Sequence, residues 1–187
     1  MMRGSRINLQ FCGFGGQGIV LSAVVFGTAA VRAGLNAVQT QSYGSEARGG
    51  ECQAELILSE GPINSPLADQ VDILVAMSQP ALDRYLSRLK SGGTLIIDPE
   101  LVERPNRTDI QLLEVPATKI AADEIGQKIA ANMLMLGFLQ RATGLVSEDD
   151  LLAAIRENVP QRFLEVNLKA AKRGMKLAKD QNVSVEV

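Results

Sequence analysis

Six residues near the N-terminus, Gly13-Phe14-Gly15-Gly16-Gln17-Gly18, limit what this chain can fold into more than any other segment. They satisfy G-x-G-x-x-G. A short apolar run of β type (7–12, INLQFC) precedes them, and a run with apolar residues on nearly every face (19–32) follows. A strand that turns through glycines straight into a buried helix opens a β-α-β unit, because glycine alone permits the tight turn and the close approach of backbone to a neighbour. Gly34 is a natural stop for the helix, and 35–39 reads as the second strand.

The rest of the chain repeats this alternation. Residues 52–58 (CQAELIL) form a strand with one polar face, and 72–77 (DILVAM) form a strand of the fully buried parallel type. An amphipathic helix follows over 79–89, with Pro80 in its first turn and Ser91-Gly92-Gly93 ending it. Strands are expected at 94–97 and 111–115, and a helix from about Thr118. Three more helices close the chain: a nearly all-apolar one over 129–142, one over 148–157 capped by Ser147, and a last one over 161–179 after Pro160. At 187 residues there is room for one ordinary core, so the expectation is an α/β, Rossmann-like three-layer fold. Its sheet is mostly parallel, its C-terminal portion is helical, and one domain spans 1–187.

Composition excludes several functions. The chain has two cysteines, Cys12 and Cys52, and no histidine. That pair cannot supply the thiolates of an ordinary iron–sulfur cluster, and a histidine-based nucleophile system is ruled out. A net charge of −2 without a dense basic cluster argues against a nucleic-acid surface. The longest apolar-rich stretch is too short and broken to span a membrane, and nothing resembles a secretory signal, so a cytoplasmic protein with reduced thiols is expected.

Two segments carry candidate binding residues. In the glycine turn, Gly13, Gly15, Gly16, Gln17 and Gly18 present backbone N–H groups at a helix N-terminus, which suits an anion. A dinucleotide enzyme would also place an acid at the end of the second strand. Here that strand ends Val38-Gln39-Thr40-Gln41, and the next acid is Glu46. Three readings stay open for the turn: a nicotinamide or flavin dinucleotide, another phosphate or anion, or glycines that only permit close packing. The second segment is Ser42-Tyr43-Gly44-Ser45-Glu46-Ala47-Arg48-Gly49-Gly50. Its cluster of Ser42, Tyr43, Glu46 and Arg48 among glycines exceeds what a strand connection needs, although an Arg48 ion pair with Glu46 or Glu51 would itself order a turn.

G-x-G-G-Q-G followed by S-Y-G-x-E-x-R-G-G resembles the gamma subunit or domain of the 2-oxoacid:ferredoxin (acceptor) oxidoreductases, whose members act on pyruvate, 2-oxoglutarate, 2-oxoisovalerate or indolepyruvate. The likeness extends to DILVAM before Gln79-Pro80, to Ser91-Gly92-Gly93, and to Asn132-Met133 with Gly137, over about residues 7–175. It implies a hetero-oligomer with alpha and beta subunits, and delta in a heterotetramer. Such an enzyme oxidatively decarboxylates a 2-oxoacid with coenzyme A, giving acyl-CoA and electrons for a ferredoxin-type acceptor. Thiamine diphosphate, Mg and Fe–S clusters would sit on the partners. The chain lacks a G-D-G thiamine motif, and no catalytic residue or metal ligand is expected on it. Gly13, Gly15, Gly16, Gln17, Gly18, Ser42, Tyr43, Glu46, Arg48 and Gly49 would touch CoA, a phosphate or the thiamine-bearing partner. The competing readings are a purely structural subunit and a free-standing NAD(P) protein, with Tyr43 or Lys119 as its acid–base group.

Overall fold

A computed structural model describes residues 6–43 and 50–185, and for Tyr43 the backbone only. Six strands form one sheet: β1 (Arg6–Phe14), β2 (Asn36–Tyr43), β3 (Glu51–Ser59), β4 (Val71–Ala76), β5 (Leu89–Ile97) and β6 (Gln111–Glu114). Their spatial order is β2-β3-β1-β4-β5-β6. β1, β4, β5 and β6 pair in parallel, while β3 runs antiparallel to both of its neighbours. Five strands therefore share one direction and β3 opposes them. The β1–α1–β2 unit expected from the glycine turn is present, with α1 (Ile19–Arg32) as its crossover, but β3 lies between its two strands.

The alternation in β3 explains how it fits there. Cys52, Ala54, Leu56 and Leu58 are buried on one face together with α1. Gln53 and Glu55 point to the opposite face, as do their ladder partners Cys12 and Gln10. That second face is covered by α2 (Gln79–Tyr85), which lies chiefly over β1 with β3 and β4 beside it, and whose Ala81 and Leu82 share one apolar cluster with Cys12, Leu74, Ala76, Leu95 and Ile97. Near β3 the cover is polar. Gln10, fully buried, donates from its amide to Gln53 Oε1 at 2.8 Å and accepts from Arg88 at 3.3 Å. Arg88 grips Glu55 through both guanidinium nitrogens and also donates to the Ala68 carbonyl. A buried amide is tolerated here because its polar atoms are paired.

The first face carries the larger helical layer. It comprises α1 and three later helices, α4 (Ala131–Thr143), α5 (Glu148–Asn158) and α6 (Gln161–Asp180). Ser147 caps α5 as its residue type predicts, accepting from Asp150 N at 3.1 Å, and three acidic residues fill the first turn at the positive end of the helix. α4 and α6 cross at backbone distance. A Cβ added at Gly137 would lie 1.9 Å from the Ala171 carbonyl oxygen, and one at Gly174 would lie 1.9 Å from that of Leu134. The apolar character of α4 follows, since eleven of its thirteen residues are buried between α6, α1 and the sheet.

Three boundaries differ from the sequence expectation, each for a local reason. The helix after β4 ends at Tyr85, and a 3-10 turn (Leu86–Arg88) leads directly into β5. Ser91-Gly92-Gly93 is therefore not a helix stop but a bulge inside β5. Pairing jumps from Val71↔Leu89 to Ile73↔Thr94, Gly92 takes a φ of +77°, and its N–H donates to Asp109 O at 2.7 Å. The helix expected from Thr118 is the four-residue α3 (Ala117–Ile120), which widens into a π turn (Ala121–Ile125) and stops at Gly126, φ +83°. Finally, a 3-10 turn (Lys128–Ala130) precedes α4, leaving Ile129 62% exposed rather than buried.

Gly174→Ala should destabilise the protein by about 3 kcal/mol or more in urea titration, because backbone, unlike a side-chain tip, cannot yield. Gly34→Ala, with nothing within 4 Å of the added carbon, should show only the strain of its φ of +87°, about 1–2 kcal/mol. Equal losses for the two would contradict backbone contact between α4 and α6.

Candidate functional site

The chain winds outward from β1 in both directions, to β2 on one side and β4 on the other, so the strand order reverses between β1 and β4. Open α/β sheets place ligands in the crevice outside the carboxyl ends of such strands. In this protein the crevice is bridged by a side chain. Gln17 Oε1 accepts from the Phe14 N–H at 2.6 Å, and its Nε2 donates to the Met77 carbonyl at 2.7 Å. One amide thus ties the end of β1 to the residue following β4. The backbone reinforces it, with Met77 N donating to Cys12 O at 2.9 Å and Gln17 N to Phe14 O at 3.2 Å.

Two of the four glycines in this turn answer to this arrangement. Gly13 is still in β1, paired with Cys52, and a Cβ there would meet Gln17 Oε1 at 2.4 Å and Ile19 Cδ1 at 2.8 Å. Gly18 is the N-cap of α1 at φ +75°, and a Cβ there would lie 2.3 Å from Asn132 Nδ2. Asn132, in the first turn of α4, donates to Gly18 O at 3.3 Å. The same carbonyl accepts from Ser22 N and Ser22 Oγ. Gly15 spends its N–H on Gly50 O at 3.0 Å. Gly16, at φ +100°, has nothing within 4 Å of an added carbon and faces open space.

The start of α1 therefore remains the accessible part. Gly18 provides no side-chain cap, and there is no acidic residue in the first turn. The Val20 N–H is directed to the Cys52 thiol, whose pKa is nevertheless raised by burial. Just beyond β4, Ser78 is 2% exposed and its Oγ has no hydrogen-bond partner among the described residues. This buried hydroxyl next to Met77 is a polar group the sequence reading missed, as was the contact of Asn132 with Gly18. Asn132 did carry a signal, being a polar residue in an otherwise apolar helix.

The second candidate segment meets the first through the ladder. Tyr43 pairs with Cys52, and Cys52 pairs with Gly13, so the end of β2, the start of β3 and the glycine turn lie in one row across the sheet. Ser42 is an exposed residue of β2, one position before that row. Glu46, Arg48 and Gly49 lie outside the described residues. β2 itself, NAVQTQSY, contains no carboxylate to hold a ribose.

Cys12 and Cys52 are both free and buried. They belong to opposite faces, Cys12 under α2 and Cys52 under α1, so they cannot converge on one cluster. Burial pushes the Cys12 thiol far above its ordinary pKa. Among the described residues no three His, Cys, Asp or Glu side chains are placed to hold a metal, and no helix is long and apolar enough to cross a membrane.

Comparison with known proteins gives concordant matches. The model of the family described as pyruvate ferredoxin/flavodoxin oxidoreductase matches residues 8–177. The chain is 42% identical over 178 residues to the 2-oxoglutarate synthase subunit KorC of Methanocaldococcus jannaschii, covering 94% of this chain and 95% of the relative. It is 45% identical to the subunit of the same name from Methanothermobacter marburgensis, covering 92% and 96%. Among solved structures, the gamma subunit of a keto/oxoacid ferredoxin oxidoreductase from Geobacter sulfurreducens superposes with a TM-score of 0.84 at 37% identity, covering 94% of this chain and 98% of that one.

If Gly13 is required by Gln17, the two positions must couple. Gly13→Ala should cost about 1–3 kcal/mol by displacing the Gln17 amide, and Gln17→Ala a similar amount by leaving Phe14 N–H and Met77 C=O unpaired. The double variant should be at least 1 kcal/mol more stable than the sum of the single losses predicts. Simple additivity in urea titrations would show that Gln17 does not set the need for glycine at position 13.

Proposed function

We propose that this chain, which belongs to the pyruvate ferredoxin/flavodoxin oxidoreductase family, serves as the gamma subunit of a multi-subunit 2-oxoacid:ferredoxin oxidoreductase, with 2-oxoglutarate as the oxoacid. The observation that carries the subunit reading is end-to-end likeness, over more than nine-tenths of both chains, to separate subunits of such enzymes. The choice of oxoacid rests on two relatives above 40% identity that are both 2-oxoglutarate synthase subunits.

The residues present do not fit the redox groups of the reaction. Two buried thiols on opposite faces of a sheet cannot ligate an Fe–S cluster, and the sequence has no thiamine diphosphate–magnesium motif. Those groups belong on the alpha, beta or delta partners, with ferredoxin as acceptor. The chain's own contribution is binding and positioning. An uncapped helix start beside Gly16, with the Ser78 hydroxyl just beyond β4 unpartnered among the described residues, suits an anionic group such as a phosphate of coenzyme A. Arg48, which lies between Tyr43 and Gly50 in the sequence, would add a guanidinium for bidentate contact with the same group. Glu46 would orient Arg48.

A nicotinamide role is disfavoured by the Gln17 bridge across the crevice and by the lack of an acid in β2. In the reconstituted complex, Arg48→Ala should raise the KM for CoA about 10- to 100-fold, the loss of a charged hydrogen bond worth about 1.5–3 kcal/mol, with assembly intact. Unchanged CoA dependence together with unchanged assembly would overturn this contact.

A further inference from the structure

The two edges of the sheet are built differently. β6 is four residues long, its Glu114 is paired with Arg104, and Gln111 donates from its amide to the Ser184 carbonyl of the C-terminal tail. Short length, charge and cover are the usual means of keeping an edge from pairing with another strand. β2 has none of them. It is eight residues long, and NAVQTQSY contains no charge and no proline. It pairs with β3 without a register shift from Asn36 to Tyr43, and among the described residues nothing pairs with its outer side.

We propose that the outer edge of β2 is an interface with β2 of a second copy of this chain, the two strands running antiparallel about a two-fold axis at Thr40. The sequence around that point is self-complementary. Gln39-Thr40-Gln41 reads the same in both directions, so Gln39 of each copy stands opposite Gln41 of the other and Thr40 opposite Thr40. Gln39 and Gln41 already bond amide to amide within one strand, at 3.3 Å, and across the seam the same groups have donors and acceptors to exchange. Val38 falls opposite Ser42, and no charge meets a like charge along the seam. The nearest charge on the next strand, Glu55 opposite Thr40, is already neutralised by Arg88. Cross-strand neighbours of this kind are what set the strength of a strand pair.

The helix beside the edge fits the same partner. An apolar groove of about 310 Å³ runs between α1 and β2, lined by Val24, Thr28, Val31, Ala37 and Gln39, with Val31 57% exposed. The two-fold places both copies of α1 on one face of the joined sheet. Each α1 packs over β2 and β3, so the two helices stand two to three strand spacings apart, about 10–14 Å. That approaches helix-packing distance. Two six-stranded sheets become one continuous sheet of twelve, with the Ser42-Tyr43 ends of both β2 strands carried on it.

The test uses the full-length chain, with two variants of one half-buried edge position and circular dichroism to confirm that each folds. Light scattering at micromolar concentration should give a dimer for the natural protein. Thr40→Lys and Thr40→Glu should each be monomeric, because the introduced charges face each other across the axis. Mixing the two variants should restore a dimer containing one of each. A monomeric natural protein, or variants that dimerise as the natural one does, would overturn the proposal. So would Lys and Glu variants that stay monomeric when mixed. Loss of binding to the other subunits, with no change in self-association, would also overturn it by assigning the edge to a different strand.

Discussion

The carboxyl end of the sheet depends on one side-chain amide. Gln17 accepts from Phe14 and donates to Met77, and so fixes the end of β1 against the end of β4 at the point where the chain reverses its winding. Each bond is worth about 1 kcal/mol net, and each partner left bare would cost more. Because that amide occupies the space above Gly13, the strand needs glycine there, and Ile19 can then begin α1 without a clash. Asn132 braces the same turn from α4 through the Gly18 carbonyl. α4 can reach it because it lies against α6 with backbone touching backbone at Gly137 and Gly174.

This arrangement gives a familiar glycine spacing a different use. In a dinucleotide enzyme the turn leaves room for a pyrophosphate and the second strand ends in an acid. Here Gln17 spans the crevice, β2 has no acid, and Gly15 is bonded to Gly50 at the edge of the second motif. What remains open is the helix start beside Gly16, with the Ser78 hydroxyl buried just beyond β4. Under the proposed function that leaves a corner suited to a small anion and not a bed for a dinucleotide.

Much of this was legible in the sequence where local chemistry decides the outcome. The strand–turn–helix at 7–32, the buried strand DILVAM and the Ser147 cap follow from apolar period, glycine position and a capping hydroxyl. What long-range pairing decides was not legible. Nothing in CQAELIL states that β3 inserts between β1 and β2, because a polar face fits several sheet positions equally well. Gly92 marks a bulge in β5 and not a helix end, since its conformation is set by the loop carbonyl of Asp109. The candidate site divides in the same way. The sequence located the turn, but it did not show the two backbone partners of Gln17, 3 and 60 residues away, that tie the turn to the end of β4.

The central claim is that this chain acts as one subunit of an enzyme whose cofactors lie elsewhere. It is tested most directly by purifying the tagged chain from its native cells and measuring thiamine diphosphate, iron and acid-labile sulfide in what co-elutes. The account predicts stoichiometric partners carrying all three, and none of the three on the chain once it is separated. A chain that elutes without partners and binds NAD(P)H tightly by itself would contradict it.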